Sequence, residues 1–104
     1  MAAGPMKMRA TLGSGFTDIR VLMTHPMETG QRKDADGKIV PMHFIQSVLV
    51  KVNGKTAVDA QISQGVSRNP VFTFRLKGGA KGDRIEVSWL DNRGETNSIE
   101  TAVA

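Results

Sequence analysis

The chain has 104 residues and a formal net charge of +4, from 14 Lys and Arg against 10 Asp and Glu, with 39% apolar residues. This length fits one domain spanning residues 1–104, and no apolar run approaches the roughly 18 residues that a membrane-spanning helix requires. The absence of Cys excludes disulfides, thiolate nucleophiles and zinc–thiolate sites, while scattered cations and 5% aromatic residues disfavour a nucleic-acid-binding face.

Alternation of apolar and polar residues dominates the chain and predicts β-strands, because successive side chains of a strand point to opposite faces. In chain order the apolar sets are Met6, Met8, Ala10 and Leu12; Ile19, Val21 and Met23; Val48, Val50 and Val52; Val58, Ala60 and Ile62; Phe72, Phe74 and Leu76; Ile85, Val87 and Trp89; and Ile99, Thr101 and Val103. Turn-forming residues separate these sets at 13–15, 53–54, 78–83 and 91–94.

About seven short strands at this spacing predict an all-β fold, an immunoglobulin-like β-sandwich. A small β-barrel is the alternative, because alternation does not distinguish an open sandwich from a closed barrel. The expected core contains Val50, Phe72, Phe74, Val87 and Trp89.

Residues 24–44 interrupt the alternation and contain both histidines of the chain. The stretch is long for a connection in a small domain, and such loops are often functional. Within it, residues 33–38 resemble the tip of a small hairpin, with Asp36-Gly37 supplying the turn.

A metal site is one interpretation of this segment, with His25 and His43 as two ligands. Other donors in or beside it are the carboxylates of Glu28, Asp34 and Asp36 and the thioethers of Met23, Met27 and Met42. Imidazole with thioether suits copper, so a copper-handling β-sandwich is the alternative function. The spacing of the histidines matches no metal motif, however, and the competing interpretation places Met23 in the core and gives both histidines ordinary hydrogen bonds.

No catalytic set emerges from the sequence. Nothing marks a nucleophile elbow, and residues 78–83 lack the spacing of a phosphate-binding loop and lead into a predicted strand. The chain is therefore predicted not to be an enzyme and to use no cofactor or metal. A binding or scaffold role is favoured by elimination.

Several motifs resemble the SoxZ family. They are His25-Pro26-Met27-Glu28-Thr29-Gly30-Gln31-Arg32-Lys33-Asp34, Gly37-Lys38, Pro41, His43-Phe44-Ile45, Arg68-Asn69-Pro70, Phe74-Arg75-Leu76-Lys77-Gly78-Gly79, Gly82-Asp83 and Trp89-Leu90-Asp91-Asn92-Arg93-Gly94. The resemblance covers about residues 6–103. Met42 is a minor departure, at a position where the family pattern suggests a small residue such as Ala.

The resemblance implies an immunoglobulin-type sandwich without assigned catalytic residues. It implies pairing with SoxY, whose Gly-rich C-terminal arm ends near the Cys that carries sulfur intermediates of thiosulfate oxidation, and transient contact with other Sox enzymes. It also implies a periplasmic location, reached by export in complex with SoxY, because the N-terminal residues lack the apolar region of a secretory signal.

The segment that carries the first motif is predicted to be a recognition surface for this partner or for the Sox enzymes. The predicted partner-binding residues are His25, Pro26, Met27, Glu28, Gly30, Arg32, Pro41, His43 and Phe44. Arg32 is expected either to pair with a partner carboxylate or to close an internal salt bridge with Glu28 or Asp34. Outward-facing apolar residues are further candidates for partner contact, namely Leu22, Leu49 and Leu90.

Overall fold

The computed structural model describes residues 5–62 and 66–104 and confirms the all-β prediction. Its strands are β1 (Lys7–Leu12), β2 (Phe16–Leu22), β3 (Ile45–Val52), β4 (Lys55–Gln61), β5 (Val71–Lys77), β6 (Arg84–Asp91) and β7 (Thr96–Ala102). Among the described residues, no helix is long and apolar enough to cross a membrane.

The strands form two antiparallel sheets, of order β1-β2-β5 and β4-β3-β6-β7. The β3–β4 hairpin turns at Asn53 and Gly54, as predicted, with φ of 51° and 84°. Positive φ at two successive residues is the geometry that matches the twist of paired strands. The predicted turns at 13–15 and 78–83 also connect strands.

The core lies between the sheets and is built from the inward positions of the alternating sets. Val50, Val87 and Trp89 are fully or almost fully buried, as predicted. Phe72 and Phe74 pack against this core but are only partly buried, because β5 is the last strand of its sheet. The seven separate runs of alternation thus contribute to one continuous apolar layer.

The sandwich is closed along one side and open along the other. On the closed side the C-terminal residue Ala104 bonds to β1: its N–H donates to the carbonyl of Ala10 at 3.0 Å, and its carbonyl accepts from the N–H of Leu12 at 3.2 Å. On the opposite side, β4 and β5 end their sheets and do not pair with each other in the described structure. The architecture is therefore the predicted sandwich and not the barrel.

Gly79 is the glycine with the tightest surroundings in the connection between β5 and β6. Its φ is +106°, and an added Cβ would overlap the hydroxyl of Thr17. That hydroxyl is buried and donates to the carbonyl of Gly78 at 2.9 Å, so it has a fixed position. Both the backbone conformation and the space available require glycine here.

Candidate functional site

Residues 24–44 fold back on themselves as an irregular hairpin, hereafter the 24–44 hairpin. Near its base Glu28 and His43 exchange backbone hydrogen bonds of 2.6 and 2.9 Å, and Lys33 pairs with Ile39 further out. At the tip, Asp34 Oδ1 accepts the backbone N–H of residues 36 and 38, and Gly37 has a φ of 79°. The predicted tip is confirmed, and the pairing at the base brings the two histidine-bearing limbs together.

Both histidines donate to one carboxylate oxygen. His25 Nε2 lies 3.0 Å and His43 Nε2 lies 2.7 Å from Oδ2 of Asp91, the last residue of β6. The exposed fractions of the three residues are 2%, 4% and 2%. The imidazole rings meet edge to face at 4.5 Å, and His25 stands edge-on to Trp89 at 5.0 Å. We call these three polar residues the His–Asp–His cluster.

The other oxygen of Asp91 holds the turn between β6 and β7. Oδ1 accepts the backbone N–H of Arg93 at 3.0 Å and of Glu95 at 2.8 Å. Burial alone would raise the pKa of Asp91, but the hydrogen bonds from His25, the Glu95 backbone and His43 outweigh it and lower the pKa below its ordinary value. One ionised carboxylate therefore fixes the β6–β7 turn and both limbs of the hairpin.

Hydrogen bonds determine the tautomer of His25. The backbone N–H of Met27 donates to His25 Nδ1 at 3.1 Å, so Nδ1 carries no proton and Nε2 carries the one donated to Asp91. Burial lowers the pKa of His25, and the bond to Asp91 only partly compensates. His25 is therefore neutral at pH 7, and its two nitrogens have distinct, fixed roles.

Two asparagines clamp the backbone of the limbs. Asn69 Oδ1 accepts the N–H of His25 at 3.0 Å, and the Asn69 N–H donates to the His25 carbonyl at 2.9 Å. Asn92 holds the other limb through the N–H of Phe44 at 2.8 Å and the carbonyl of Met42 at 3.0 Å. The two asparagines, through side chain and backbone, therefore satisfy backbone groups that no regular strand pairs.

Arg32 forms the internal salt bridge expected as one of its two alternatives. Its Nε lies 3.0 Å from both carboxylate oxygens of Glu28, and Nη2 lies 2.6 Å from Oε2. The hydrogen bonds from Arg32 lower the pKa of Glu28, which burial alone would raise. The Arg32 side chain remains 52% exposed, so part of the guanidinium faces solvent at the surface of the 24–44 hairpin.

The His–Asp–His cluster contains residue types that bind metal ions, but hydrogen bonds within the protein already occupy their ligand atoms. Ligand-capable atoms of His25, His43 and Asp91 lie within 4.8 Å of one another. Coordination through His25 Nε2 would require the proton on Nδ1, which would then face the N–H of Met27. The thioether of Met27 accepts the N–H of Ile45 at 3.3 Å, and Met23 is buried in the core. These contacts favour a structural hydrogen-bond network.

The comparison with protein families decides the relationship of this chain. A family model described as sulphur oxidation protein SoxZ matches residues 6–102. The chain belongs to the SoxZ family. It is accordingly a sulfur oxidation protein, and the family resemblance read from the motifs is confirmed. A comparison with curated proteins found no match.

In this member of the SoxZ family the predicted partner-binding residues fall into buried, half-buried and exposed groups. His25, Met27, Glu28 and His43 are buried, Pro26, Gly30 and Phe44 are half-buried, and Arg32 and Pro41 are exposed. The buried residues lie along the base of the 24–44 hairpin, where they fix its shape. The exposed ones are those that a partner can touch directly.

Sequence reasoning missed Asp91 as a site residue and assigned it to a turn. The structure places it in β6, at the next inward position after Ile85, Val87 and Trp89, and the turn begins after it. An acid in the inward register of a strand is a signal that could have identified it, because a buried carboxylate needs partners. Asn69 and Asn92 were also not identified as site residues: Asn69 appeared only within a family motif, and Asn92 appeared in a motif and in the predicted turn at 91–94.

Proposed function

We propose that this chain is the non-catalytic subunit of a SoxYZ-type carrier complex in thiosulfate oxidation. It pairs one-to-one with a SoxY-like subunit, stabilises it and presents its sulfur-carrying cysteine arm to the Sox enzymes. The complex acts in the periplasm after joint export. The family match over residues 6–102 carries this proposal. The absence of Cys supports it, because a carrier thiol must then come from the partner.

The His–Asp–His cluster supports a non-catalytic role. A histidine beside a carboxylate is a common catalytic pair, but a catalytic base must reach the proton of a substrate. Here Asp91 accepts four hydrogen bonds from the protein, and His25 uses both ring nitrogens. With both residues only 2% exposed, the geometry suits a cluster that holds a loop in shape.

The outer face of the four-stranded sheet supports a partner contact. Leu90 is 45% exposed and pairs with Ser47, while Leu49 pairs with Ser88. Leu49 also pairs with Asp59 of β4, and Leu90 pairs with Thr96 of β7. The face therefore combines aliphatic side chains with small polar ones and one carboxylate, which suits an apolar contact with a polar rim. Leu22 and Val71, which pair at the end of the other sheet, are also exposed.

Co-expression with the SoxY-like subunit of the same organism tests the proposal. Gel filtration with light scattering is expected to show one species containing one copy of each chain, because a permanent heterodimer buries about 2,000 Å² or more. A matched sample of this chain alone provides the reference mass. Elution of two separate monomers at micromolar concentration would contradict the proposal.

A further inference from the structure

The two histidines of the cluster differ in what they do with Nδ1. His25 Nδ1 accepts the backbone N–H of Met27 at 3.1 Å. For His43 the contacts within residues 5–62 and 66–104 involve Nε2, which lies 2.7 Å from Asp91 and 3.4 Å from Oε2 of Glu95. The same acid therefore holds two rings, of which only one has its second nitrogen committed as an acceptor.

The hydrogen bonds of His25 define what protonation does to it. An added proton enters at Nδ1, where it meets the N–H of Met27, and two donors cannot share a hydrogen bond. Protonation of His25 must therefore break the contact with Met27.

We propose that His25 is an acid-sensitive switch for the 24–44 hairpin. Protonation of its Nδ1 ends the latched state, in which Nδ1 accepts the Met27 N–H, and frees the backbone at Met27. The Asn69 bonds still hold the backbone of His25. The second limb stays attached to Asp91 through His43 Nε2, a bond that does not involve the Nδ1 of either ring. The inference concerns the conformation of the hairpin and does not depend on the proposed partnership with a SoxY-like subunit.

The backbone of Met27 favours movement once the contact is lost. Met27 has a φ of 49°, a left-handed conformation that is strained for a residue with a side chain. Strained residues persist where surrounding contacts hold them. Met27 is held by the bond from its N–H to His25, by the bond from the Ile45 N–H to its sulfur and by burial of its side chain in the core. Loss of the bond to His25 leaves fewer contacts to hold Met27 in this strained backbone conformation.

The charged groups around His25 determine the pH at which the switch acts. Asp91 at the end of β6 and Glu95 in the following turn favour the protonated ring, whereas burial and His43 on the opposite limb oppose it. Burial is the largest effect and the pKa of His25 is lowered. Because the released ring regains its ordinary pKa of about 6.5, acid favours release as the pH falls below that value.

Amide hydrogen exchange of Met27 in the full-length chain tests the proposal. Between the pKa of the released ring and that of the latched ring, the protection factor is expected to fall about tenfold per pH unit, because release takes up one proton. The imidazole ¹⁵N signals of His25 should change over the same pH range. Trp89 is the sole tryptophan and lies 5.0 Å from His25, so its fluorescence should report the same transition.

Two variants separate the histidines. In His25→Asn the side-chain oxygen can accept the Met27 N–H in an Asx turn that does not titrate, so the transition should disappear. In His43→Gln the amide can still donate to Asp91, and the transition should remain. The proposal is overturned if wild-type Met27 keeps its protection until the chain unfolds globally, or if the transition follows His43 and not His25. The wild-type measurement can overturn the proposal without the variants, so a variant that misfolds does not invalidate the test.

Discussion

Asp91 and His43 lie 48 positions apart in the chain and meet through a 2.7 Å hydrogen bond in the buried interior. The oxygen involved also accepts from His25, 66 positions away, at 3.0 Å. These long-range contacts fix both limbs of the 24–44 hairpin to the end of β6. These buried contacts with Asp91 therefore determine the shape of the hairpin surface, where Arg32 is exposed.

Asp91→Asn is expected to destabilise the chain. Asparagine can keep one oxygen for the β6–β7 turn, but its amide N–H groups then face the N–H of His25, whose tautomer is fixed by Met27. His43 can change its tautomer and accept at Nε2. A buried donor that loses its acceptor costs about 1–3 kcal/mol, and the Nε2–H of His25 is such a donor. Urea denaturation at pH 7 measures the loss, with exposed Asp59→Asn as the matched control. Equal stability of the two variants would show that the cluster contributes little.

The difference between wild type and Asp91→Asn should also depend on pH. The folded-state pKa of Asp91 is lowered, so the stabilisation from its charge is fully present above the ordinary value of about 3.9. It is lost as the pH falls through the lower folded-state pKa. Denaturation curves in this acid range should therefore converge, and a constant difference down to the lowest pH would contradict the charged state assigned to Asp91.

Replacement of Trp89 tests the core. The ring is 2% exposed, so Trp89→Ala should cost about 3–5 kcal/mol of unfolding free energy. Trp89→Phe should cost less, because the indole N–H has no hydrogen-bond partner among the described residues and its removal leaves no acceptor unpaired. Denaturation followed by circular dichroism compares the two. A native wild-type fluorescence spectrum typical of a water-exposed Trp would contradict the burial.

Gly79→Ala is expected to be more destabilising than Gly94→Ala. Both glycines have positive φ, which costs an Ala residue roughly 1–2 kcal/mol. An added Cβ at Gly94 meets open space, whereas at Gly79 it overlaps the hydroxyl of Thr17. The difference between the two melting temperatures isolates the steric effect. Equal losses would mean that the β5–β6 connection can shift to make room.

Arg32→Ala tests whether the 24–44 hairpin is a recognition surface. Arg32 is exposed, but its removal leaves the Glu28 carboxylate, whose side chain is only 11% exposed, without its partner. The variant should therefore remain folded with a modestly lower melting temperature. Its affinity for the SoxY-like subunit or a Sox enzyme should fall by roughly tenfold or more. Arg32→Lys is the matched control for charge without the bidentate geometry. Calorimetry that finds all affinities unchanged would leave the salt bridge with a structural role alone.

A copper titration tests the alternative function. At neutral pH we expect no tight binding of Cu⁺ or Cu²⁺ by the isolated chain, because Met27 donates to His25 and its own sulfur is occupied by the Ile45 N–H. His43→Ala serves as the comparison for any weak surface binding. Stoichiometric binding that disappears in this variant would favour the copper-handling interpretation over the hydrogen-bond network.

The strands and most turns could be predicted from the sequence because their signals are local. Alternation places Val87 and Trp89 on one face wherever β6 lies, and Asn53-Gly54 closes a tight hairpin by its own backbone preferences. The tip at Asp34 and Gly37 is equally local, since one side chain caps the turn that contains it. The family motifs likewise are visible without coordinates.

Tertiary structure alone decided which polar groups meet. Nothing local relates His25 to Asp91 or Phe44 to Asn92, because these contacts depend on how the hairpin folds over the end of the sheet. The choice of Arg32 between an internal and an external carboxylate also required the position of Glu28. Buried polar groups must find partners, but the pairing is set by strand order and register, which bring together residues that are distant in the chain.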